Sequence, residues 1–317
     1  MIIELPHTTT REISRRMVEE RNRWGAVALG RVLTLIVDAD SHDPEPAILA
    51  ANAASRQNPC RVIVLSATSP KRGTLDAQIR VGSDAGAGEV ILLRHSAKEK
   101  DQLDTLVLPL LLPDAPIVAW WPYSCPDDPS GTPIGALAGR RITSSQLCRD
   151  PEKKLAALSR NYVAGDTDMA WTRTTAWRGL IAAALDQPPY EPVQKVVLSG
   201  QTGHPSVDLI GVWMGSRLNC PVEIIYDQYA PGLTEVRIER ESGPIIFSRP
   251  DGRVAELIRP DSPVQTVPLP IRGLDECVAE ELRRLGPDTV YGEVLAAYGD
   301  RARAFEEAEK QDAEEQK

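Results

Sequence analysis

Two tryptophans and two arginines crowd one short stretch of the chain: Trp171, Arg173, Trp177 and Arg178. On a helix, Trp171, Thr174, Thr175 and Arg178 fall on one side, and Arg173 and Trp177 on another. A guanidinium stacks on an indole face, and tryptophan and arginine dominate the energetics of protein interfaces. One reading is a contact surface for a partner or ligand, with Asp168 at the positive end of the helix. The other is a core helix with buried tryptophans and solvated arginines. Arg140 and Arg141 make a smaller basic point. They can grip a carboxylate or phosphate, or pair locally at the end of a strand.

A second cluster is Ser199, Gly200, Gln201, Thr202, Gly203, His204, Pro205 and Ser206. It joins a strand to a helix, so backbone N–H groups at the helix start face the loop and can hold an anion such as a phosphate or sugar phosphate. It lacks the lysine of a P-loop, and an ordinary strand-to-helix turn has the same composition. His204 and Asp208 stand four apart and can act as an acid–base pair, or merely cap the helix. No nucleophile accompanies them. Trp121 follows Trp120 at the end of an apolar strand. There it borders the crevice where α/β sheets bind ligands, or closes the core. The glycines of residues 82–88 fail as a dinucleotide fingerprint, because a strand follows them rather than a helix. They read as a turn. The four histidines and five cysteines have no ligand spacing. The sequence therefore calls for no metal, no cofactor and no catalytic set.

The elements that must position these residues follow from periodicity. Continuous apolar runs at 26–37, 61–67, 89–94 and 116–121 read as buried strands. Helices fall between them at 8–23, 43–57 and 98–112. Residues 74–81 alternate and read as an edge or antiparallel strand, 122–133 as a loop, 140–144 as a short strand and 151–161 as a helix. The strongest helix pattern runs over 165–186, capped by Asp166 or Thr167. A strand at 193–199, a helix at 205–218 and a strand at 222–227 come next. Four short alternating segments then span 234–269, which predicts an antiparallel meander. Helices at 273–285 and 288–298 close the pattern. The expected fold class is α/β: an N-terminal domain with a mostly parallel sheet (1–162), a C-terminal α+β domain (163–300), and a charged tail (301–317) that is frayed helix or disorder.

Composition narrows the function classes. Lys and Arg total 36 against 45 Asp and Glu, a net charge of −9. That excludes a phosphate-tracking nucleic-acid binder and a polybasic membrane-surface protein. The hydrophobic fraction of 42% suffices for a large core. No apolar run is long enough to span a bilayer, and the start of the sequence lacks the pattern of a signal peptide. The expectation is a cytoplasmic protein without disulfides.

Several long segments together resemble the glucose-6-phosphate dehydrogenase assembly protein family, OpcA, of actinobacteria and cyanobacteria, in its actinobacterial form. They are AVALGRVLTL (26–35), NPCRVIV (58–64), LDAQIRVGSDAGAGEVI (75–91), LPLLLPDAPIVAWWP (108–122), PIGALAGRRIT (133–143) and GDTDMAWTRTTAWRGLIAAALDQPPYEPV (165–193), with residues 256–295 also similar. The resemblance covers nearly all of residues 1–298. It implies a non-catalytic role: association with glucose-6-phosphate dehydrogenase, the NADP-linked entry enzyme of the oxidative pentose phosphate pathway, and promotion of its active oligomer. It brings no assigned functional residues with it. In cyanobacterial relatives cysteine redox state is linked to activation, and nothing in the spacing here points to the same device. The alternative from the residues alone is a sugar-phosphate- or nucleotide-binding protein acting in its own right.

Overall fold

The computed structural model describes residues 1–23, 32–69, 73–81 and 88–315. Its elements in chain order begin with β1 (Ile2–Leu5), α1 (Thr10–Arg23), β2 (Leu33–Asp38), α2 (Glu45–Ser55), β3 (Cys60–Ser69), β4 (Asp76–Arg80) and β5 (Glu89–Ser96). Then come α3 (Leu103–Val107), β6 (Ile117–Trp120), α4 (Pro133–Leu137), β7 (Arg140–Thr143), α5 (Pro151–Arg160), β8 (Asp166–Asp168), α6 (Met169–Thr172) and α7 (Thr175–Leu185). The rest are β9 (Lys195–Gln201), α8 (Pro205–Leu218), β10 (Val222–Asp227), β11 (Leu233–Glu239), β12 (Ile245–Ser248), β13 (Val254–Ile258), β14 (Gln265–Pro268), α9 (Leu274–Arg283) and α10 (Thr289–Glu315). Two compact units form. The first takes Met1–Ser144, Val163–Asp168 and Gly273–Asp288, and the second takes Ser145–Tyr162, Met169–Arg272 and the chain from Thr289 onward.

The first unit is built on the apolar runs. Four of them, β5, β3, β2 and β6, lie side by side at the centre of an eight-stranded sheet in the order β1-β4-β5-β3-β2-β6-β7-β8, parallel from β5 through β8. Stepping out from β2 through β3 to β5, and back across β2 to β6, β7 and β8, gives the doubly wound order of dinucleotide-binding sheets. Both faces are covered, which is why the runs are continuous rather than alternating. Ile36, Ile63 and Ile91 meet Ile13 and Met17 of α1 in one apolar cluster. Leu35 and Val37 point to the other face and are equally buried. Within that sheet Arg61 and Glu89 are register partners on β3 and β5. The guanidinium binds the carboxylate through Nε and Nη2 at 3.1 and 2.9 Å.

The second unit is a six-stranded sheet, β10-β9-β11-β12-β13-β14, with β9 and β10 parallel and the rest antiparallel. Trp177 and Ile181 of α7 and Val207 and Ile210 of α8 pack with Val196, Leu198 and Phe247. The α/β class, with its parallel and antiparallel halves, is as the sequence predicts.

The single helix expected over 165–186 is instead a strand followed by two helices, α6 and α7. Residues Asp166–Asp168 instead form β8, parallel to β7, with Arg141 opposite Asp166 and Thr143 opposite Asp168. The helix that follows breaks again at Thr174. Both the Thr174 amide and its hydroxyl donate to the Trp171 carbonyl, a three-residue closure that ends α6. Residues that look like cap signals are thus strand residues: Asp166 and Asp168 find side-chain partners on β7, and the buried Thr167 hydroxyl has none. Residues 98–112 also differ: α3 is short and flanked by 3₁₀ turns. The first part of the 26–37 run and the glycine segment 82–87 lie outside the described residues. Among the described residues, no helix is long and apolar enough to cross a membrane. Cys60 lies inside the sheet, where burial pushes its thiol up to about 12.

Candidate anion-binding site

The turn between β9 and α8 is shaped by close packing. Gly200 has no room for a side chain, since a Cβ there would lie 2.6 Å from Val207 Cγ2 and 2.9 Å from the Gly232 carbonyl. Its role is the approach of β9, β11 and α8, not ligand contact. Gly203 turns the chain with φ +66°. The His204 amide donates to Gln201, and Pro205 opens α8 with no side-chain cap. Ser206 donates its hydroxyl to the Ala170 carbonyl at 2.7 Å. Thr202 is exposed, and the Ser199 carbonyl accepts from Thr234.

This turn borders a cleft of about 230 Å³ whose lining includes Arg173, Trp177, His204, Ser206, Arg249 and Arg272. Two motifs that are separate in sequence, the Trp/Arg stretch and the β9–α8 turn, therefore meet. None of the lining residues is acidic. Arg173 donates Nη1 to Gln146 at 2.6 Å. Arg249 stands over the Trp177 ring, 4.9 Å from its centroid, and donates Nη1 to Leu269 and Nη2 to Leu233, both at 2.8 Å. Its Nε is buried without a partner, and burial lowers its pKa. His204 titrates at about 4, pushed down by burial and by the charges of Arg173 and Arg249. It is neutral at pH 7, and its buried Nδ1 has no partner.

The other candidate residues are held by the fold. Trp171 is 1% exposed and Trp177 3%. Arg178 lies over the Trp171 ring, 3.7 Å from its centroid, and bonds the hydroxyls of Thr174 and Thr175. Arg140 pairs with Glu281, and Arg141 with Asp166, in both cases between buried side chains. Asp168 accepts from Thr143 at 2.7 Å and is fully buried. Trp121 packs in the first unit's core. Of the residues read as a contact surface, Arg173 alone combines partial exposure with a place on the cleft.

His204 and Asp208 do not act together. Asp208 accepts from the Tyr226 hydroxyl at 2.5 Å, and burial pushes its carboxyl up to about 6. The folded state therefore holds that proton more tightly than the unfolded chain. The resulting stability is full below pH ~4 and is lost as pH rises through about 6. Denaturation of Asp208→Asn at pH 4.5 and 7.5 should show roughly 2–3 kcal/mol less change between the two pH values than the unsubstituted protein. An unchanged pH profile would remove Asp208 as its source.

The first unit has its own turn at the place where such sheets bind pyrophosphate. It has Asp38 at the end of β2, Asp40 and Asp43 in the turn, and Glu45 at the start of α2. Asp38 accepts from the Asp40 amide and its carboxyl is raised by burial. Asp40 pairs with Lys100 at 2.8 Å. Glycines and a free helix start are what a pyrophosphate needs there. Here carboxylates stand instead, two of them paired with Lys100 and Arg80, and they offer a phosphate no donor.

Comparison with known proteins gives the family. Residues 51–160 match the family described as glucose-6-phosphate dehydrogenase subunit N-terminal domain, and residues 164–295 match its C-terminal domain. The chain belongs to the OpcA family of glucose-6-phosphate dehydrogenase assembly subunits. Two relatives carry the name OxPP cycle protein OpcA. That of Synechococcus elongatus is 30% identical over 189 residues, 53% of this chain and 41% of the relative. That of Synechocystis sp. is 26% identical over 204 residues, 59% of this chain and 42% of the relative. The matched region thus spans about two-fifths of the length of these family members. Among solved structures, a Synechocystis biliverdin reductase aligns with TM-score 0.46 at 12% identity, over 86% of this chain and 99% of that one. A myo-inositol dehydrogenase from Lactobacillus casei aligns with TM-score 0.43 at 10% identity, over 86% of this chain and 95% of that one.

Arg249, Arg272 and Gln146 are cleft residues that the sequence reading missed. Arg249 had a signal. Ile245 and Phe247 point inward on β12, and Arg249 continues that period of two, so a charge was due on the buried face. Arg272 lies in an irregular segment and Gln146 in a short 3₁₀ turn, both far from the two motifs, and they carry no such signal.

Proposed function

We propose that this chain associates with glucose-6-phosphate dehydrogenase in the cytoplasm and favours the assembled, active form of that enzyme, without catalysing a reaction itself. The reading is carried by the paired match to the two domains of the assembly subunit. The acidic turn after β2 supports the non-catalytic part, because a doubly wound sheet without a pyrophosphate cradle is poorly fitted to use a dinucleotide. The net charge of −9 agrees with a protein partner rather than nucleic acid.

Activation of this kind is a population shift. A partner that binds the assembled state better than the dispersed one stabilises it by the difference in affinity. A tenfold rise in the active fraction needs only about 1.4 kcal/mol of that difference. The test is NADPH production by the cognate dehydrogenase with and without this chain, alongside size-exclusion chromatography with light scattering. Higher activity with co-elution in a larger species is expected. Unchanged activity with separate elution overturns the proposal.

A further inference from the structure

We infer that the cleft of the second unit binds a small phosphomonoester, its phosphate held among Arg173, Arg249 and Arg272. Three guanidinium groups line one concavity that has no acidic lining residue. Among the described residues, Arg173 and Arg249 form no ion pair; Asp251 acts on Arg249 only at longer range, and Arg272 gives Nη1 to the Thr172 carbonyl at 2.7 Å. Gathering like charges around a small space is unfavourable unless an anion joins them.

The donors of Arg173 and Arg249 are also unfinished. Each guanidinium has five N–H groups. Arg249 spends Nη1 and Nη2 on two carbonyls, which fix its plane, and leaves Nε buried and unpaired at 4% residue exposure. A buried donor without an acceptor is costly, and native structures leave few of them. Arg173 gives one N–H to Gln146 and keeps the rest. The positive end of α8, uncapped by any side chain, opens on the same space.

The chemistry favours phosphate. A phosphate offers oxygens in several directions with close to two negative charges at neutral pH, which suits guanidinium groups arriving from separate segments at residues 173, 249 and 272. The rest of the lining is mixed, with Trp177, Leu269 and Ile271 forming an apolar wall beside Gln146, Gln201 and Ser206. That wall suits the carbon skeleton of an ester, which inorganic phosphate lacks. His204, neutral at pH 7, can donate or accept at the ester without adding charge.

The experiment is calorimetric titration of the chain alone with inorganic phosphate, a hexose monophosphate and acetate, at matched ionic strength. The hexose monophosphate is expected to bind with Kd below about 1 mM, at least tenfold tighter than inorganic phosphate, and acetate not to bind. Arg173 is partly exposed with a single side-chain bond, so Arg173→Ala should melt close to the unsubstituted protein while losing at least tenfold in affinity. Arg178→Ala, whose side chain stacks outside the cleft, should keep it. No heat with either phosphate overturns the inference. So does equal affinity for the ester and free phosphate, competition by acetate, or an Arg173→Ala variant that binds normally. No dehydrogenase is present, so this result and the assembly assay can fail separately.

Discussion

Trp171→Ala should cost the protein about 3–5 kcal/mol of stability. The indole is 1% exposed. The Arg178 guanidinium covers one face at 3.7 Å from the ring centroid, and the Tyr291 ring on α10 lies 6.1 Å away. Tyr291 in turn meets Tyr162 edge-on at 6.2 Å. Truncation leaves a void that these neighbours close only in part, since α6, α10 and the segment after α5 are each fixed by their own contacts. Arg178 also loses the ring it lies on, a contact worth about 0.5–2 kcal/mol. Urea denaturation checks this. The midpoint should fall by several kcal/mol divided by the m-value, with m itself unchanged. A loss under about 1 kcal/mol, with dehydrogenase activation abolished, would instead make Trp171 an interface residue.

The same residue shows where sequence reading stops. Trp171 and Trp177 have the composition of an interface hot spot, and composition does not reveal burial. Burial is decided by Tyr291, more than a hundred residues away, and by the break at Thr174 that turns the two tryptophans onto different elements. The central strands β2, β3, β5 and β6 were legible because each is covered on both faces and so reads as a continuous apolar run. Their order was not, because pairing β2 between β3 and β6 depends on long-range register. The helix predicted over 165–186 failed for a related reason. Asp166, Thr167 and Asp168 are intrinsically good helix-start residues, and only the partners on β7 make a strand of them. At the cleft, the β9–α8 turn was readable from its glycines and proline. The arginine cluster was not, because its members are brought together from the turn after α6, the residue following β12 and the segment after β14.

Arg141 is the second side chain whose loss should be severe. It sits on β7 and closes the parallel pairing to β8. Its Nε binds Asp166, Nη1 the Ala138 carbonyl at 2.5 Å and Nη2 the Ala164 carbonyl at 3.0 Å. Both charged side chains are buried. The pair itself adds little net stability, because desolvating two ions offsets most of their attraction. Removing one partner is different. Arg141→Ala leaves a buried carboxylate and two carbonyls without their donor. The expected loss is about 3–5 kcal/mol. Asp166 shows the pressure already: burial raises its carboxyl pKa even with the guanidinium and the Val163 amide opposing. With Arg141 gone the carboxyl should rise further, so the variant should recover part of its deficit as pH falls and Asp166 protonates. The Arg141→Met, Asp166→Leu double variant removes the uncompensated charge and should be more stable than Arg141→Ala. Denaturant titration of both variants at pH 5 and 7.5 measures both effects. Equal stability of Arg141→Ala and the double variant at both pH values would mean that the carbonyl bonds, not the charge pair, hold β8 to the sheet.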